Sequence, residues 1–282
     1  MALTSPGARD QLMAALASNV SQVQVAKASI ANTAIGQYHS MWRATGQPGQ
    51  GALPGVPIVV CDHTTTGALP VAQPTAPTGS YLASAELACS TGPVTIAVHD
   101  RLVHCGALFG NTTSSQLVDI DMSLLGTSNL SARKGAADFR DVTWWLEWYS
   151  DTGATAATVT VAVTYNDGTT GNLTGASLAA TRRASFMLPL NGLIPAAAAG
   201  KYIRGVATVV LSVSTGTAGN FGVTATRQRA SIALPTANQT EIRDWAQLGL
   251  AEVPNSACLQ MIMVPATTST GTVNGTLKIA HA

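Results

Sequence analysis

Hydrophobic and polar positions change rhythm near residue 45. Ahead of that point Leu12, Leu16, Val20, Val23, Ala26, Ile30 and Ala34 recur every three or four residues, which is the spacing of one apolar stripe on a helix. Ser5 can cap such a helix and Pro6 suits its first position; after Gly7 no further breaker intervenes until Gly36. Tyr38 and Trp42 prolong the spacing. The pattern predicts a helical arm over residues 1–45 that buries its stripe either on its own body or on a neighbouring subunit.

Residues 46–80 read as a linker or wrapped loop. Gly46, Pro48, Gly49, Gly51, Pro54, Gly55 and Pro57 punctuate its first part, and Pro70, Pro74 and Pro77 its second. A short edge strand fits between them, over Val56 to Cys61.

From residue 81 onward, short alternating segments follow one another. They include 81–88, 94–103, 142–150, 159–165, 185–190, 206–213, 222–226, 230–234, 261–265 and 271–280. Asn166-Asp167-Gly168 after the 159–165 segment is a strong hairpin signal. Ile242, Trp245, Ala246 and Leu250, preceded by Asn238 as cap, predict a short helix near 240–250. The fold class is therefore mainly β, an antiparallel β-sandwich or jelly roll over 81–282 with an N-terminal α-helical arm.

Composition narrows the class. Only 10% of the 282 residues are charged and the formal net charge is +1, against about 25% charged in an ordinary soluble protein. Thr, Ser, Asn, Gln, Gly and Ala must then cover the outside. Such a surface suits a chain packed among neighbours, because charge is depleted from interface cores. The basic pairs Arg133-Lys134, Arg182-Arg183 and Arg227/Arg229 make no stripe of the kind nucleic acid needs. The first residues lack the pattern of a signal peptide, and no apolar run is long enough to span a membrane. Cys61, Cys89, Cys105 and Cys258 have no C-x-x-C spacing and read as reduced, buried thiols of a protein made in a cytoplasm.

Candidate chemistry is sparse. Cys61-Asp62-His63 and His104-Cys105 carry metal-ligand residue types, yet His104 and Cys105 would point to opposite strand faces, so no metal or cofactor is expected. Asp119 and Asp121 share one strand face; that arrangement serves either a carboxylate pair or, more commonly, a polar outer surface. In 144–149, Trp144, Leu146 and Trp148 take one face, suited to a core. Trp145, Glu147 and Tyr149 take the other, a set for core packing, a subunit contact or stacking on sugars.

Tyr38 to Pro48, His99 to His104, Trp145 to Tyr149 and Gly216 to Gly222 resemble stretches of virion structural proteins of tailed bacteriophages. The resemblance implies a head-associated minor capsid, cement or decoration subunit, located in the virion, with no catalytic residues. Its partners would be copies of itself, most simply as a trimer, and a major capsid protein. Leu12, Leu16, Val20, Val23, Ile30, Tyr38, Trp42, Trp145 and Tyr149 are the expected subunit-contact residues. The alternatives are a neck, tail or receptor-binding subunit that grips glycans through Trp145 and Tyr149, and a virion-borne polysaccharide depolymerase using Asp119, Asp121 and Glu147.

Overall fold

The computed structural model of the chain describes residues 6–56, 58–73, 79–125, 128–178 and 181–281. The expected cap Ser5, and Pro57, Pro74 and Pro77 of the expected linker, lie outside these residues. The chain is mainly antiparallel β structure in three sheets.

The expected long helical arm is a short helix, α1 (Pro6–Ser18), followed directly by strand β1 (Val20–Lys27). Two periods compete in this segment. Leu16, Val20 and Val23 fit a helix, but Gln22-Val23-Gln24-Val25 alternates with period two, and valine's branched Cβ favours the pleated surface. Tertiary pairing decides for the strand: β1 is zipped along its whole length to β16 (Val273–His281). Its other edge meets the two-residue β3 (Gly46–Gln47). With β5 (Ser80–Cys89) and β14 (Glu241–Asp244) these form a five-stranded sheet in the order β14-β5-β16-β1-β3. Segment 240–250 is likewise no helix. Its first half is β14, paired with β5, and Asp244 then accepts from the Gln247 N–H to close a turn.

A second sheet has four strands: β7 (Gln116–Asp121), β9 (Ala157–Tyr165), β10 (Thr170–Leu178) and β12 (Ile203–Leu211). Their order is β10-β9-β12-β7. Gly168, at φ +85°, turns the chain between β9 and β10, where a side chain would be strained.

Between these sheets lies a closed ring. Around it run β6 (Val94–Leu108), β13 (Asn220–Leu234), β8 (Thr143–Ser150), β11 (Phe186–Pro189), β2 (Tyr38–Ser40) and β15 (Leu259–Pro265). Pairing of β15 with β6 and of β6 with β13 completes a six-stranded barrel. Strand β4 (Val59–Val60) adds to β6 beyond the end of β15. A second short helix, α2 (Ser128–Arg133), packs beside β6.

Side-chain alternation gives the barrel two unlike faces. Its outer face is apolar and is covered on one side by the four-stranded sheet, where Trp144, Leu146, Trp148, Val223 and Ala225 join Val159, Val161 and Val209 in one core. On the other side Val94, Ile96, Val98, Ile232 and Met263 pack against Val23, Leu87 and Leu277 of the five-stranded sheet. Long strands reach both cores because each carries a bulge. Leu102 is an extra residue on β6 and Arg229 on β13, and each flips the alternation beyond it. Gly222 sits where a Cβ would come within 1.9 Å of the Cys105 carbonyl oxygen, so β13 and β6 approach closely there.

The N-terminal segment thus belongs to the body, apart from α1. Among the described side chains of the helix, Ala15 and Leu16 cluster with Ala83 and Ala280. Removing residues 1–18 is expected to lower stability by only about 1–2 kcal/mol. Removing 1–43 takes away β1 and β2, opens the barrel and should abolish the cooperative melt. Circular dichroism melts of the two truncations check this; a folded, cooperative 44–282 fragment would refute it.

Candidate functional site

The barrel interior is the chemically richest place among the described residues. Trp145, Glu147 and Tyr149 enter it from β8, His99 and Arg101 from β6, Thr224 and Thr226 from β13, and Gln260 from β15. Arg101 is fully buried and ion-paired with Glu147 at 2.8 Å. Its remaining donors reach Gln260 Oε1 at 3.0 Å, Thr224 Oγ1 at 3.1 Å, Tyr149 Oη at 3.2 Å and His104 Nδ1 at 2.8 Å. The Leu102 bulge places Arg101 and His104 on the same side of one strand. The guanidinium lies 4.6 Å above the Trp42 ring. Thr224 donates to Glu147 at 2.6 Å.

Burial raises the Glu147 pKa, but the charge of Arg101 and hydrogen bonds from Arg101, Thr224 and Ser40 outweigh it, so the carboxyl stays below its ordinary range. Burial and the Glu147 charge push the Tyr149 phenol far up, which keeps it a neutral donor. His99 donates to or accepts from Thr226 Oγ1 at 2.9 Å and lies edge-on to Trp145; burial lowers its pKa to about 3.

Immediately outside the barrel wall lies a second ionic cluster. Asp100 receives Arg133 through Nε and Nη2, Arg229 at 2.9 Å and the Cys258 N–H at 3.0 Å. Arg133 also donates to the Cys61 and Arg101 carbonyls. Two of the basic pairs noted in the sequence therefore spend a member here, inside the protein.

The expected contact residues are placed as follows. Trp145 and Tyr149 are 3% and 7% exposed, inside the barrel, so neither forms a surface platform for sugars. Trp42 is 1% exposed and Val23 sits in the core beneath β1. Ile30 is half-buried against the same core, Leu16 is half-buried on α1 in the cluster with Ala83 and Ala280, and the Leu12 side chain lies outside the described part. Of the eight whose side chains are described, Val20 and Tyr38 are the exposed ones, at 37% and 41%. Tyr38 also stacks edge-on against Trp145.

Asp119 and Asp121 both lie on β7; Asp121 pairs with Gly205 of β12, whereas Asp119 falls in the bulged stretch between Leu117 and Ile120. Asp119 is exposed, whereas Asp121 is ion-paired with Arg204 at 2.8 Å and accepts from Ser123. Neither approaches the Glu147 network through any contact, and Asp119 instead borders an open apolar groove of about 530 Å³ lined by Val56, Ile58, Cys105, Leu117 and Val118. Cys61 Sγ lies 3.5 Å from His104 Nδ1, while Cys105 faces the core beneath the four-stranded sheet. Among the described residues no three His, Cys, Asp or Glu side chains gather as a metal would require.

The interior network was missed from sequence, apart from β8. Its signal was present: His99-Asp100-Arg101 and His104 interrupt an apolar strand in a chain where charge is rare. Charged groups there must be paired or hydrogen-bonded. Their partners, scattered from Ser40 to Gln260, share no sequence motif.

No protein-family model matches the chain, and no curated protein sequence does. Among solved structures it is similar at low level to the VP2 subviral particle of infectious bursal disease virus, with TM-score 0.17, 10% identity, and 94% of this chain and 80% of that chain covered. Derived T=1 particles of the same virus give TM-score 0.16 at 11% identity, covering 93% of this chain and 78% of that chain. No helix among the described residues is long and apolar enough to cross a membrane.

Proposed function

We propose that the chain is a non-catalytic structural subunit of a virion, a head-associated cement, decoration or minor capsid protein that binds copies of itself and a capsid protein. The observation that carries this reading is where the few charges go. Lys27, Asp100, Arg101, Arg133 and Glu147 are buried and the Arg229 side chain is 4% exposed. Six of the 29 charged residues are thereby withdrawn from the outer surface. Large apolar side chains stand out on it, among them Val56, Leu117, Leu124 and Ile242, each more than 60% exposed. A neutral surface studded with apolar residues is suited to burial between subunits.

The groove beside β7 extends this surface, because β7 is an edge strand of its sheet and carries Leu117 at 67% exposure. A closed symmetric oligomer, a trimer in the simplest case, would cover such patches.

Size-exclusion chromatography with light scattering, followed by co-sedimentation with purified capsids, tests the proposal. An oligomer that co-sediments is expected, with many copies distributed over the head when the protein is labelled in intact particles. A monomer that ignores capsids, or turnover of a host polysaccharide, would overturn it. The glycan-binding reading loses its proposed platform, since Trp145 and Tyr149 are interior.

A further inference from the structure

Two of the four free cysteines meet at a junction in the barrel wall. Strands β15 and β4 pair with the same edge of β6, end to end, while β13 occupies its other edge. At the join, the Cys258 carbonyl accepts from Arg101 N at 2.8 Å, and Cys61 N donates to the Leu102 carbonyl at 3.0 Å. The cysteines are therefore anchored at consecutive residues of one strand edge. The same ionic pair grips both backbones: Arg133 donates to the Cys61 carbonyl at 2.6 Å, and Asp100 accepts from Cys258 N at 3.0 Å. Their side chains lie in one buried cluster with Trp42 and Ala68.

We propose that Cys61 and Cys258 are a paired oxidation site, closed to a disulfide by a hydroperoxide, which clamps the segment after β4 to the start of β15. The surroundings separate the roles of the two sulfurs. His104 Nδ1 lies 3.5 Å from Cys61 Sγ, and the Arg101 guanidinium, hydrogen-bonded to that same nitrogen, supplies a positive charge. Burial raises the Cys61 pKa, but interaction with the Cys258 thiol and the positive charge of Arg101 bring it well below the ordinary thiol range; burial and Cys61 itself push Cys258 up. Cys61 is thus the attacking thiolate and Cys258 the resolving thiol.

In the first step Cys61 sulfur attacks one peroxide oxygen, the O–O bond breaks and hydroxide leaves, giving a sulfenic acid. The Cys258 sulfur then attacks the Cys61 sulfur. The S–S bond forms, the S–O bond breaks, and water leaves with the thiol proton. Two thiols are oxidised and one hydrogen peroxide is reduced to two waters. Hydrogen peroxide is close to water in size, so it suits a buried pair better than a bulky disulfide oxidant.

The test treats the reduced full-length chain with hydrogen peroxide, counts thiols after denaturation and maps peptides without reduction. The count is expected to fall from four to two, with one linked peptide pair containing Cys61 and Cys258. The oxidised protein should melt at higher temperature. Cys61→Ser and Cys258→Ser should each abolish the link, while Cys89→Ser should leave it intact. Retention of four thiols, a link between other cysteines, a Cys61 sulfinic acid with Cys258 unmodified, or an unchanged melt would each overturn the proposal. Should the serine variants fail to fold, the map of the unmodified sequence decides alone.

Discussion

Glu147→Gln is expected to destabilise the protein by about 3–5 kcal/mol, because it leaves a buried guanidinium without its counter-charge. Arg101 is fully buried, and Glu147 is the carboxylate it pairs with, at 2.8 Å. The amide retains the shape of the carboxylate and can still accept from Thr224, so the loss isolates charge from packing. For a chain of this size each kcal/mol is worth about 2–4 °C, so the thermal midpoint should drop by about 10 °C. The double variant Arg101→Met with Glu147→Leu removes both charges and should recover much of that loss, since a buried ion pair is costly to break and cheap to replace. Measuring Arg101→Met, Glu147→Leu and the double variant gives the coupling. A Glu147→Gln protein within about 1 kcal/mol of the parent would mean that water reaches the barrel interior and solvates Arg101.

Acid should weaken the protein well before its carboxylates protonate. His39 is buried, with Nδ1 against Ser185 Oγ at 3.1 Å and Nε2 accepting from the Ala34 N–H at 3.1 Å. Burial lowers its pKa to about 4, and that of His99 to about 3. Both histidines are held neutral in the folded protein, while in the unfolded chain each takes up a proton near pH 6.5. As pH falls below 6.5 the unfolded state therefore binds more protons than the native state, and stability declines until the native pKa values are reached. The contribution is fully present above about pH 6.5 and lost progressively down to pH 4 for His39 and pH 3 for His99. At about 1.4 kcal/mol per pH unit, His39 alone accounts for about 3 kcal/mol and His99 for somewhat more. Glu147, whose folded pKa is depressed, adds a further loss at the acid end of the window. Denaturant melts between pH 7.5 and 4.5 check this. A flat profile from pH 7 to 5 would contradict it, and His99→Gln should reduce the slope.

For a virion subunit of the kind proposed, these two effects have one structural origin. The barrel encloses polar and charged side chains from several strands, and its apolar outer face serves as the floor of two cores. Stability then depends on a few interior groups keeping a single protonation state. A surface that carries little charge contributes correspondingly little to the pH response.

Much of the architecture was legible in the residue pattern. Alternation along 94–103, 142–150, 159–165 and 261–265, with Asn166-Asp167-Gly168 between two of the segments, determined an antiparallel β protein, because period-two burial is local and survives in any β context. The split of 144–149 into Trp144, Leu146 and Trp148 against Trp145, Glu147 and Tyr149 was determined in the same way. What each face meets was not. A strand face carrying an aromatic pair and a carboxylate looks alike whether it lines a barrel, a subunit contact or a sugar site. Only ring closure through β6, β13 and β15 put it inside. Segments 20–27 and 240–250 show the same limit from the other side. Their helical spacing was real, but β16 and β5 offered whole ladders of backbone hydrogen bonds, and nonlocal pairing overrides a weak local preference. The meeting of Arg101 with Glu147, Asp100 with Arg133, and Cys61 with Cys258 was decided by tertiary structure alone. Each pair joins strands or segments far apart in the chain, and nothing in a linear sequence encodes which distant partner a buried charge or thiol will find.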